Sequence, residues 1–230
     1  MKFINKRYRD IFEQFIHRGE ATPFTLGTLV FCAFSILLLI VATFTQLNFS
    51  HSWFGGASKN VLYNPQIIVM MFIIYFLGRN YSILTFIIYL IIGLFVWPIF
   101  VFGKGIEFLQ NYLFGYLLGF LFAIILSGTI LNISQTIKAR LISGLVGVGI
   151  IHLTGFLYCF LLAIFRFIDF NLIFPVFRVV TLNKLIYDLI FVSLLMLIVP
   201  YIKNIFWICM RPLNPKKKIK KFQHKIQDNS

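Results

Sequence analysis

The chain carries little charge and almost no acid. Charged residues make up 12% of its 230 residues, and only seven are Asp or Glu. A soluble domain is about a quarter charged, so a water-facing fold of this length is excluded. Cysteine is scarce: Cys32, Cys159 and Cys209 lie far apart in apolar runs. No CxxC pair and no Cys/His cluster exists, so neither a disulfide framework nor a metal site is expected. Catalytic signatures are missing too. There is no Gly-rich P-loop, no HExxH, no GxSxG and no grouping of the four His. ATP hydrolysis by the P-loop route is therefore excluded, and no cofactor is called for.

What is present is apolar surface. The chain is 60% hydrophobic with 29 Phe, and its mean hydropathy is +0.90. Only lipid can cover so much of it, which predicts an all-α integral membrane protein. The first apolar stretch is too long, and lacks a small-residue cleavage site, to read as a cleavable signal peptide.

Six spans are predicted at 24–46, 65–77, 81–101, 109–132, 141–165 and 184–202. Pro23 opens the first, where its missing N–H costs nothing. Residues 47–64 are polar and Gly-rich and read as a loop. The second span ends at Gly78-Arg79-Asn80, a tight turn. At 13 residues it rises about 20 Å, less than the ~30 Å hydrocarbon core, so it reads as re-entrant or hidden behind its neighbours. Residues 166–182, with Asp169, Asn171, Pro175 and Arg178, read as a mixed connection. The membrane domain is bounded as 23–202.

The basic excess sits at the ends of these spans. With 21 Lys and Arg the formal net charge is +14. Placing the N-terminus inside gathers the basic residues of 1–22, Arg79, Lys138, Arg140 and the eight of the 203–230 tail on one side. That leaves Lys59, Lys104, Arg166, Arg178 and Lys184 outside, sixteen against five. Such a bias orients membrane proteins and places both termini in the cytoplasm at the cell membrane. Residues 1–22 read as a basic amphipathic helix on the inner surface, and the tail as a run attracted to anionic lipid. Charge placed this way argues for topology control, not for nucleic-acid binding.

Polar residues inside spans are costly and usually face the bundle interior. Asn183, Lys184, Tyr187 and Asp188 open the sixth span, with 184, 187 and 188 on one helix face. Lys184 and Asp188 are expected either to pair across that turn or to leave Lys184 and Tyr187 for a small-molecule carboxylate. His152, inside the fifth span, is expected to bond a neighbouring helix. Gly115 and Gly119 permit close helix approach, and Tyr116 between them can present its hydroxyl to a pocket. A rival reading is a membrane enzyme using Asp169 and Asp188. Another is a non-catalytic scaffold docking a partner through the basic tail.

Between residues 65 and 120 the order of motifs becomes specific. It runs Pro65-Gln66, Gly78-Arg79, Tyr89 to Gly93, Trp97-Pro98-Ile99-Phe100, Gly103-Lys104-Gly105, then Phe114-Gly115-Tyr116-Leu117-Leu118-Gly119-Phe120. This resembles the BioY family, the biotin-specific S components of energy-coupling-factor (ECF) transporters. The family's Gly-Pro-Thr is replaced by Asn111-Tyr112-Leu113. Lys184 stands where its Asp is expected, and Tyr187 where its Lys is. The resemblance implies a six-transmembrane-helix bundle of the ECF S-component type, without enzymatic activity. It implies that the protein binds biotin or a relative and works with a transmembrane coupling protein and ATP-binding subunits. The implied substrate-binding residues are Asn111, Tyr116, Asn183, Lys184, Tyr187 and Asp188.

Overall fold

The computed structural model describes residues 26–51, 59–100 and 105–209. Helix α1 spans Leu26–Phe44. Thr28, Cys32, Ser35, Leu39, Ala42 and Thr43 are its buried stripe, at helical spacing, while Val30, Phe34, Leu37 and Val41 face outward. Apart from Leu39, small and hydroxyl-bearing residues turn inward and large apolar ones such as Phe34 and Leu37 outward, as expected where the solvent is lipid.

The expected loop at 47–64 is instead an antiparallel hairpin, β1 (Leu47–His51) and β2 (Lys59–Tyr63), with Leu47 opposite Tyr63 and Phe49 opposite Val61. The fold is therefore not purely helical. Its composition is loop-like, but its side chains alternate: Val61 and Tyr63 are buried while Leu62 between them is exposed. That period of two is a strand's.

Helix α2 spans Gln66–Ile91, but Gly78 breaks it at φ 76°, ψ 172°. Ser82 Oγ donates to the Ile73 carbonyl at 3.1 Å. In a straight helix nine residues rise about 13 Å, so the chain must fold back at Gly78. The turn expected there is present, and α2 is two limbs, 66–77 and 79–91. The short first limb is shielded, with Met70, Met71, Ile73 and Ile74 buried. The second limb continues as a π turn, Ile92–Val96, and ends at Trp97, which is extended because Pro98 follows.

A 3₁₀ turn (Gly105–Gln110) leads to α3 (Leu113–Ile133) and α4 (Ile137–Ile164). These two helices lie close. Ser127 Oγ donates to the Ser143 carbonyl at 2.8 Å, and Ser143 Oγ to the Ser127 carbonyl at 3.1 Å. A Cβ on Gly119 would stand 2.8 Å from Ile151 Cα, so only Gly permits this approach. Arg79 lies against Gly128 and donates to Thr129 Oγ1 at 3.3 Å. The Gly78 turn thus sits at the same end as the α3–α4 connection.

The expected mixed connection at 166–182 is partly helical: a 3₁₀ turn at Phe170–Leu172, α5 (Ile173–Phe177) and a π turn at Arg178–Leu182. Helix α6 spans Asn183–Cys209. Residues up to Val199 form one compact unit, and those from Pro200 on form a second. Of the second, α6 is described to Cys209, past the expected domain boundary at 202. The expected amphipathic segment 1–22 and the tail beyond Cys209 lie outside the described residues. Among the described residues, four helical stretches, 66–96, 113–133, 137–164 and 170–206, are long and apolar enough to cross a membrane. This is a multi-pass membrane protein.

Candidate ligand-binding site

A cavity of about 390 Å³ opens under the hairpin, at the end opposite the Gly78 turn. Its walls are largely apolar, with Ile67, Phe100, Phe108, Leu117, Phe120 and Ile151 among them. Two polar groupings interrupt them, one built on α6 and one at the α1–α2 junction.

The first centres on Asp188, which is 1% exposed. Tyr63 of β2 donates its phenol proton to Asp188 Oδ1 at 2.7 Å. His152 of α4 meets Oδ2 through Nε2 at 3.0 Å. A buried carboxylate is tolerable only with such partners. Burial, and then the carboxylate beside it, push the Tyr63 phenol far above its ordinary value. Tyr116 OH is bonded to Thr181 Oγ1 at 2.8 Å, and its ring stands edge-on to His152. Asn183 and Lys184 complete this side of the lining.

Asp188 is thus held by Tyr63 and His152, and the expected Lys184–Asp188 salt bridge does not form: among the described residues the close side-chain partners of Asp188 are Tyr63 and His152. Lys184 lines the cavity, and its ammonium makes no hydrogen bond to a described residue. The bond expected of His152 to another helix is present. Asp169 is exposed, at the edge of a 3₁₀ turn, and does not line the cavity. The two-carboxylate arrangement of the enzyme reading is therefore absent.

Of the six expected site residues, the cavity brings together Tyr116, Asn183, Lys184 and Asp188. Asn111 is not in the lining. Its Oδ1 accepts the Leu113 N–H at 2.9 Å and so caps α3. Tyr187 is not in it either. Its ring stacks on Phe49 of β1 at 4.9 Å and helps seat the hairpin on α6.

Sequence reasoning missed the second grouping. Thr43 Oγ1 donates to the Leu39 carbonyl at 2.8 Å and lies 2.9 Å from Tyr89 OH. Gln66 Nε2 reaches Tyr89 OH at 3.0 Å and Thr43 Oγ1 at 3.2 Å. Asn64 Nδ2 donates to the Thr43 carbonyl at 2.8 Å, and its Oδ1 accepts the Gln66 N–H at 3.0 Å. Polar residues in apolar spans, such as Thr43 and Tyr89, were the available signal.

The sequence profile of the BioY family matches residues 17–207. The chain belongs to the BioY family. Among solved structures, that of the S component for biotin from an ECF-type ABC transporter is similar, with a TM-score of 0.59 at 20% identity. The match covers 78% of this chain and 92% of that one. At that identity it shows the fold. No curated protein sequence matches the chain significantly. The landmarks at 65–120 thus fall within the family match.

Proposed function

We propose that this BioY protein is the substrate-binding S component for biotin uptake, working with an ECF energising module. The observation that carries this reading is the cavity: apolar in its walls, and polar at two separate groupings. Biotin has the same character, with fused rings and an alkyl chain between a ureido head and a carboxylate. The volume lies in the range of small-molecule sites. Lys184 lines it, its ammonium with no hydrogen-bond partner among the described residues, and is assigned to the carboxylate, with Asn183 beside it. Tyr116 shapes the wall through its bond to Thr181.

Six crossings follow if α1, the two limbs of α2, α3, α4 and α6 each count once. The charge bias then puts both termini in the cytoplasm and the cavity outside. The chain performs binding, not catalysis. Energy would come from a transmembrane coupling protein and ATP-binding subunits, and the basic termini would meet anionic lipid. Equilibrium binding of biotin to the purified protein in lipid nanodiscs tests the reading. Saturable binding that weakens in Lys184→Ala is expected. No measurable binding by the wild type would sink it.

A further inference from the structure

The Thr43–Gln66–Tyr89 grouping fixes the direction of an amide. Four close contacts join it: Thr43 Oγ1 to the Leu39 carbonyl, Thr43 Oγ1 to Tyr89 OH, and Gln66 to each of the two hydroxyls. Each contact needs one proton. Thr43 and Tyr89 bring one hydroxyl proton apiece. The other two must come from Gln66, and only its NH₂ end has two. Turning the amide over would leave two of the four contacts without a proton, with oxygen facing oxygen. The network therefore sets the orientation.

The order of protons is then determined. Thr43 donates to the backbone, Tyr89 donates to Thr43, and Gln66 donates to both. Thr43 Oγ1 is left with one donated and two accepted bonds, its full complement. Both Gln66 N–H groups are spent, and Oε1 receives nothing from any described residue. Its backbone is held as well, by the Asn64 side chain. Gln66 lines the cavity.

We infer that Gln66 Oε1 is a specificity-determining acceptor, presented in a fixed direction to an N–H donor of the ligand. Resting on the biotin reading above, that donor is one ureido N–H. An acceptor that cannot rotate rejects a ligand offering a lone pair at the same place, because two facing acceptors remain unpaired.

Two cyclic carbamate analogues of biotin, each with a different ring N–H replaced by oxygen, remove the donor without adding bulk. Their dissociation constants and that of biotin are measured on wild type and on Gln66→Met, which keeps the length and loses the acceptor. The expected result is that wild type disfavours one carbamate by about tenfold or more, and that Gln66→Met loses this discrimination. Equal discrimination by both proteins overturns the inference and leaves the biotin reading standing. No biotin binding by wild type overturns both. Where Gln66→Met fails to fold, Tyr89→Phe decides, since it frees one amide proton and lets the group turn. Discrimination should then fall several-fold, and unchanged discrimination overturns the inference.

Discussion

Tyr63 of the hairpin and Asp188 of α6 are joined at 2.7 Å across 125 residues of sequence. The bond ties the cover of the cavity to its wall. Phe49, stacked on Tyr187, makes a second tie between the same two elements. Tyr63→Phe keeps the ring packing and removes only the hydroxyl. Hydrogen bonds to charged groups contribute about 1.5–3 kcal/mol. If the bond holds the hairpin closed, biotin should leave the variant about tenfold faster or more in a chase experiment. An unchanged release rate would mean that the hairpin does not gate the cavity through this bond.

The same phenol gives a pH dependence. Its folded value is raised, by burial first and by the Asp188 charge second, from an ordinary value of 10.0. The folded state therefore keeps the proton where the unfolded state loses it. The contribution is full below about pH 10 and is lost as pH rises further. Melting temperature should fall more steeply between about pH 9 and about pH 11 in wild type than in Tyr63→Phe. Parallel curves would remove Tyr63 as the group responsible.

The fold at Gly78 makes a topological prediction. With Cys32, Cys159 and Cys209 replaced by Ser, single cysteines are placed at Asn80 and Asn171, both exposed positions. An impermeant thiol reagent should label Asn171→Cys on intact cells and Asn80→Cys only after permeabilisation. If 66–91 crossed once as a straight helix, residue 80 would lie within the lipid and resist labelling in both states.

How far the sequence was legible depended on periodicity and cost. The membrane class, the break at Gly78 and the polar opening of α6 could be read because apolar runs, a Gly-Arg-Asn turn and charges inside spans are locally expensive features. The hairpin was hidden because five-residue strands with polar alternate positions look like loop. Lys184 and Asp188 share a helix face, but the partners that win Asp188 come from Tyr63 and His152, distant in sequence. Tyr89 is one of ten tyrosines: its place in an apolar span marks it as a candidate, but its partners Thr43 and Gln66 come from other stretches of the chain. Pairings between elements decide the site, and a single sequence does not display them.

Gly119 tests how closely α3 and α4 must approach for the cavity to form. A Cβ there would meet backbone, Ile151 Cα at 2.8 Å and the Ile151 carbonyl oxygen at 2.9 Å. Backbone cannot swing aside as a side chain can, so Gly119→Ala must push the helices apart. Overpacking of this kind costs about 1–3 kcal/mol. Gly149 is the control: it lies on α4 with nothing within 4 Å of an added Cβ, so Ala there meets no clash and leaves less freedom to the unfolded chain. Gly119→Ala should lower the melting temperature, while Gly149→Ala should leave it unchanged or raise it. Because Ile151 lines the cavity and adjoins His152, Gly119→Ala should also weaken biotin binding, and Gly149→Ala should not. Equal behaviour of the two variants would show that close helix approach is not what shapes the site.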